Sequence, residues 1–119
     1  MKGVPLILSA VLLGAIAQIV LKRGMQIYGE VSASGVWSQL IPILKVPHVL
    51  VGFLLYAISS VLWIAVVSNI DLSLAYPMVS IAYVVVFVAS WLLLGEQISL
   101  LRATGLAVIV TGVIMISRS

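Results

Sequence analysis

The feature that most constrains this sequence is a set of four apolar runs, each as long as the hydrocarbon core of a bilayer is thick. They cover residues about 4–24, 48–69, 72–94 and 99–117, and a helix needs about 20 apolar residues to cross a membrane. A chain in lipid must also satisfy its own backbone hydrogen bonds. We therefore expect an all-α membrane protein, a single domain over 1–119 with four transmembrane helices in one bundle.

Composition agrees with this class and narrows the chemistry. Hydrophobic residues make up 64% of the 119 residues and charged residues 8%, with a mean hydropathy of +1.36. The chain has no cysteine, and its one histidine, His48, does not form a metal site alone. No nucleophile, acid–base dyad or phosphate-binding loop is recognisable. We expect no metal, no cofactor, no nucleic-acid partner and no enzymatic activity.

The connections between the runs predict the topology. SNID and GEQIS are short, so the helices that they join should be antiparallel neighbours, with both termini on one side. The longer first connection contains a segment, 36–44, that predicts a short interfacial helix with Trp37 at headgroup level. No small-residue cleavage pattern precedes Lys22, so we expect the first run to be retained as a span.

Basic residues give a small orientation signal. The side opposite the termini has the larger number: Lys22, Arg23, Lys45 and Arg102, against Lys2 and Arg118. The positive-inside rule favours that side as cytoplasmic by a narrow margin.

Polar and aromatic residues inside the first three runs recur at helical spacing, one stripe on each helix. The stripes are Gly14, Gln18 and Lys22; Tyr56, Ser59, Ser60 and Trp63; and Tyr76, Ser80, Tyr83 and Phe87, with Pro77 beside the first of these. Residues three and four apart share a helix face. Three such faces predict a cavity between the helices, because a buried amide such as that of Gln18 needs polar partners or water.

Simpler interpretations exist for several of these residues. Tyr76 and Trp63 also suit an interfacial aromatic belt. The serines, including Ser80, also suit hydrogen bonding to their own helices. Lys22 also suits snorkelling to the headgroups from the helix end.

The fourth run has a stripe of small residues, with Gly105 and Gly112 seven positions apart in GLAVIVTGVIMI. Small residues let membrane helices approach closely. The glycines therefore predict a helix contact, either within the bundle or between two chains.

Four short spans, this glycine heptad and the third-run phrase LSLAYPMVSIAYVVV resemble the small multidrug resistance branch of the drug/metabolite transporter superfamily. AYPMVS, LLLGEQIS and the AQ...LK pattern of the first helix are most similar to the four-helix subunits that flip undecaprenyl phosphate-linked aminoarabinose, and to related EamA-type proteins. The resemblance covers nearly the whole chain. It implies a bacterial inner-membrane transporter that works as a homodimer, or as a heterodimer with a related four-helix subunit.

The sequence departs from the drug exporters of that branch at one position. Those exporters resemble one another in having a glutamate in the middle of the first helix, and Gly14 stands at that place here. Glu30, Asp71 and Glu96 all lie outside the middle of a span. A site for lipophilic cations needs an anion to offset desolvation, whereas this stripe ends in Lys22, which suits a phosphate.

We therefore expect a flippase for a polyprenyl phosphate-linked sugar. Lys22, with Arg23 nearby, would bind the phosphate, while the tail stays among the membrane lipids. The expected substrate-binding residues are Gln18, Lys22, Tyr56, Trp63, Tyr76, Ser80 and Tyr83, and the expected dimer interface is Gly105 and Gly112. Two alternatives remain open: a proton-coupled exporter of small cations that uses Glu96 or Asp71, and an accessory subunit that transports nothing.

Overall fold

The computed structural model describes residues 3–119, so Lys2, used in the orientation argument, lies outside the described residues. In this range the chain is helical and contains no strand. The helices are α1 (Val4–Tyr28), α2 (Gly35–Ser38), α3 (Leu40–Leu44), α4 (Pro47–Asn69), α5 (Leu72–Met78), α6 (Ile81–Leu92) and α7 (Leu100–Ser117). Four segments are long and apolar enough to cross a membrane: α1, α4, α5 with α6, and α7. The predicted all-α fold with four membrane-length helices is confirmed, and its assembly as a dimer stays a prediction.

The first span is longer than expected, because α1 continues past Lys22 and Arg23 to Tyr28. Gly24 lies in that stretch but is packed against α4, and the helix ends at Gly29, whose φ of 113° is rarely adopted by other residues. The predicted interfacial helix is two short helices, α2 and α3, and Trp37 on α2 is 81% exposed. The hydroxyl of Tyr28 donates a hydrogen bond to Gln39, which ties this connection to the end of α1.

The third span is interrupted between α5 and α6. Pro77 lies inside α5 and has no N–H to donate to the carbonyl one turn earlier. The N–H groups of Val79 and Ser80 donate instead to carbonyls three residues back, at 3.0 Å each, which is the tighter 3₁₀ pattern. The interruption lies between Tyr76 on α5 and Tyr83 on α6.

The closest helix pair is α1 with α4. A β-carbon on Gly52 of α4 would lie 3.1 Å from the Leu21 nitrogen and 3.2 Å from the Ala17 carbonyl oxygen. Gly24 of α1 meets His48 and Val49 of α4 just as closely. These glycines allow near contact of the two backbones, as small residues do between membrane helices. The two helices are thus in close backbone contact along one side of the bundle.

The core lies toward the end of the bundle that contains the chain termini. It comprises Ile7, Ala10, Val11, Val66, Ala75 and Met78, from α1, α4 and α5. Helix α7 contacts α5 and α6, and Val113 packs against this cluster, yet no residue of α7 is buried. The last span therefore has a large apolar surface for lipid or for another chain.

Candidate functional site: an uncharged cavity beside a Lys22–Glu96 ion pair

A cavity of about 680 Å³ lies between α1, α4, α5 and α6. Its polar and aromatic lining residues are Gln18, Tyr56, Ser59, Ser60, Trp63, Tyr76, Tyr83 and Phe87. Pockets that hold small ligands range from about 300 to 1,000 Å³. Among the described residues that line it, none is charged. Residues from all three predicted stripes line this cavity, but Lys22 and Ser80 do not.

The α1 wall of the cavity extends from Ala10 to Gln18, a rise of about 12 Å at 1.5 Å per residue. Gly14 lies midway, and a β-carbon there would come within 3.1 Å of the Ser59 hydroxyl oxygen. That hydroxyl donates a 2.7 Å hydrogen bond to the carbonyl of Ala10. The missing side chain at position 14 thus makes room for a link between the two helices at the cavity wall.

Aromatic side chains form the rest of the wall. The rings of Trp63 and Tyr76 meet edge to face, with centroids 6.4 Å apart, which is a favoured geometry for such pairs. Tyr56, Tyr76 and Tyr83 are 47%, 67% and 52% exposed, so the cavity opens at the surface of the bundle. Hydroxyl groups and aromatic faces on an open cavity suit a polar ring whose attached chain remains outside.

Ser60 has the simpler role suggested for the serines, and Ser80 lies outside the cavity. The Ser60 hydroxyl donates to the carbonyl of Tyr56 in its own helix at 2.9 Å. Ser80 lies in the turn between α5 and α6 and is not among the cavity-lining residues. Of the expected substrate-binding residues, the structure brings together Gln18, Tyr56, Trp63, Tyr76 and Tyr83, and it leaves Ser80 outside.

Lys22 is also outside the cavity lining, one helical turn beyond Gln18. Its ammonium lies 3.8 Å from the Glu96 carboxylate, and the two side chains are 53% and 36% exposed. That distance is too long for a hydrogen bond, and exposed ion pairs contribute about 1 kcal/mol or less to stability. The pair is therefore easily separated.

Glu96 is held beside α1 by a short network that the sequence interpretation missed. The Gln26 amide donates a 2.8 Å hydrogen bond to the carbonyl of Leu94, and its oxygen accepts one from Arg23 at 3.2 Å. Gln26 is four residues after Lys22, so extending the stripe from Gly14, Gln18 and Lys22 by one turn would have found it.

Comparison with known proteins finds several relatives that share one name. A probable 4-amino-4-deoxy-L-arabinose-phosphoundecaprenol flippase subunit ArnF from Shewanella sediminis is 32% identical over 129 residues, covering 97% of this chain and 87% of the relative. Proteins of the same name from Proteus mirabilis and Photorhabdus laumondii are 31% and 34% identical, covering 93% and 99% of this chain and 88% and 98% of the relatives. The chain belongs to the ArnF flippase-subunit family. No family model and no solved structure matches it.

Membership of the ArnF family, with four membrane-length helices, makes the chain a multi-pass protein of the bacterial inner membrane. Its relatives are named as flippase subunits, which are transporters and not enzymes. The word subunit in their names indicates work with a partner, and the identity of a partner for this ArnF-family chain stays a prediction.

Proposed function

We propose that this chain is a subunit of a flippase that moves an undecaprenyl phosphate-linked aminosugar across the membrane. The observation that supports this most is the uncharged, tyrosine-lined cavity, with the Lys22–Glu96 ion pair one helical turn beyond its Gln18 end. The ring and the hydroxyl groups of the sugar are polar and uncharged, so they can bind by hydrogen bonds and by stacking on aromatic faces. The relatives' names supply the class of lipid.

In this proposal Lys22 binds the phosphate at the membrane interface. The Lys22 α-carbon is about 6 Å further along the α1 axis than that of Gln18, and Gln18 lines the cavity. A phosphate at Lys22 therefore places the attached sugar at the mouth of the cavity. The undecaprenyl tail stays in lipid, because the cavity opens at the bundle surface.

The uncharged lining disfavours the cation-exporter alternative. Glu96 pairs with Lys22 outside the cavity. Asp71 precedes α5, in the tight turn at the opposite end of the bundle. Neither carboxylate lines the cavity, and a lipophilic cation in a low-dielectric site needs a counter-charge.

In this proposal a second chain completes the wall of the substrate-binding cavity. Within residues 3–119 nothing comes within 4 Å of a β-carbon built on Gly105 or Gly112, so these glycines do not serve close packing inside the described chain. Their stripe on exposed α7 supports the proposal that α7 packs against α7 of a second copy, or of a related four-helix subunit.

The test is binding of a labelled polyprenyl phosphate to purified protein in detergent. We expect Lys22→Met to weaken binding about tenfold or more, since charge-assisted contacts contribute about 1.5–3 kcal/mol and tenfold corresponds to 1.4 kcal/mol. Lys45→Met is the matched control: Lys45 is an exposed lysine at the end of α3 and is not part of the cavity. Equal affinity in the two variants would refute the phosphate assignment.

A further inference from the structure

The Lys22–Glu96 ion pair joins two different parts of the chain. Lys22 is on α1, and Glu96 is in the segment between α6 and α7. Gly95, with a φ of 71°, turns the chain there, and the Glu96 N–H donates to the Ser90 carbonyl at 2.9 Å. With the Gln26–Leu94 bond, these contacts hold a carboxylate beside the cation, one helical turn beyond the part of α1 that lines the cavity.

Within residues 3–119 this is the sole ion pair. Its 3.8 Å separation leaves the ammonium donors and the carboxylate oxygens available to a ligand, because no direct hydrogen bond joins them. A site with one cation and one anion side by side is complementary to a ligand that also has one of each.

A phosphate on Lys22 would lie close to the Glu96 carboxylate, and two anions in contact repel each other. A ligand with a phosphate alone would therefore bind against this repulsion. A ligand that also has an ammonium would place it against Glu96, so that an ion pair replaces the repulsion. Lys22 would then pair with the phosphate and Glu96 with the ammonium, instead of with each other. Specificity often depends on such a penalty against the wrong ligand.

We propose that Glu96 is a specificity-determining residue that binds the ammonium of the aminosugar while Lys22 binds its phosphate. This inference rests on the proposed function and deepens it: the preferred substrates are zwitterionic lipid phosphodiesters, and neutral sugars on the same lipid are disfavoured.

The experiment compares two lipids that differ by one charge: undecaprenyl phosphate-linked 4-amino-4-deoxy-L-arabinose and its N-acetylated form. We expect the full-length wild-type chain in detergent to bind the amine form about tenfold more tightly. Glu96→Gln should bind the two lipids with similar affinity, because it loses the ammonium contact and the repulsion of phosphate together. Glu30→Gln is the control, since Glu30 is an exposed acid in the first connection, and it should keep the preference.

The outcomes separate this inference from the proposed function. If wild type binds both lipids equally while Lys22→Met weakens both, the phosphate site stands and the role of Glu96 is refuted. If Glu96→Gln retains the preference for the amine, that role is likewise refuted. If Lys22→Met changes the binding of neither lipid, the phosphate site fails, and this inference fails with it.

Discussion

Close packing of α1 against α4 leads to a specific stability prediction at Gly52. An alanine β-carbon there would be 3.1–3.2 Å from three backbone atoms of α1, in Ala17 and Leu21. Backbone atoms cannot rotate away, so the two helices must separate. Overpacking of this kind costs about 1–3 kcal/mol, while alanine gains up to about 1 kcal/mol over glycine in helix propensity.

Gly105→Ala has the same propensity gain, and within residues 3–119 of one chain nothing lies within 4 Å of its β-carbon. Because Gly105 is in the proposed dimer interface, the comparison is made on protein that is monomeric in detergent, where it isolates the packing term. We expect Gly52→Ala to be less stable than Gly105→Ala by about 1–3 kcal/mol. Unfolding by sodium dodecyl sulfate, followed by tryptophan fluorescence at one protein concentration, measures the difference. Equal unfolding free energies would show that the backbones of α1 and α4 are not in contact at Gly52. The α1–α4 packing described above would then be wrong.

Three further predictions concern the interface, the cavity wall and the substrate. Gly112→Leu should convert the purified protein from dimer to monomer with helix content retained, by mass measurement in mild detergent; a dimeric, active variant would exclude α7 as the interface. Ser59→Ala should lower the unfolding free energy by about 0.6 kcal/mol through loss of the bond to Ala10, whereas Ser60→Ala, which breaks a bond within one helix, should cost less. Overexpression should give no resistance to quaternary ammonium compounds, and robust resistance would contradict the phosphate-binding interpretation.

The four spans were predictable because bilayer thickness sets the helix length, and charged residues occur only near the ends of the four apolar runs. The sequence places Pro77 in the third run but does not predict the break between α5 and α6. The hydrophobic pattern of an apolar run is the same for a straight helix and for a broken one. The turn is defined by the carbonyls that accept hydrogen bonds from the N–H groups of Val79 and Ser80. The predicted end of the first span is also too early: α1 continues through Gly24, which packs against α4, to Tyr28.

Periodicity located most of the cavity, because residues on one helix face must share a neighbour. It included Lys22, which lies on the same stripe but one turn past the end of the cavity. The pairing of Lys22 with Glu96 had no sequence signal. It is a contact between a helix and a connecting segment, formed by the turn at Gly95 and the Gln26–Leu94 bond, and helical spacing does not report such contacts.

The most direct test of the account is translocation of undecaprenyl phosphate-linked aminoarabinose in proteoliposomes, with the chain reconstituted alone and together with a related four-helix subunit. A reagent that reacts with amines and does not cross the bilayer would report the headgroups that reach the outer leaflet. The account predicts headgroup transfer by at least one of these assemblies, and strongly reduced transfer when the same assembly contains Lys22→Met. Transfer no faster than in empty liposomes for both assemblies, or full transfer with Lys22→Met, would contradict it.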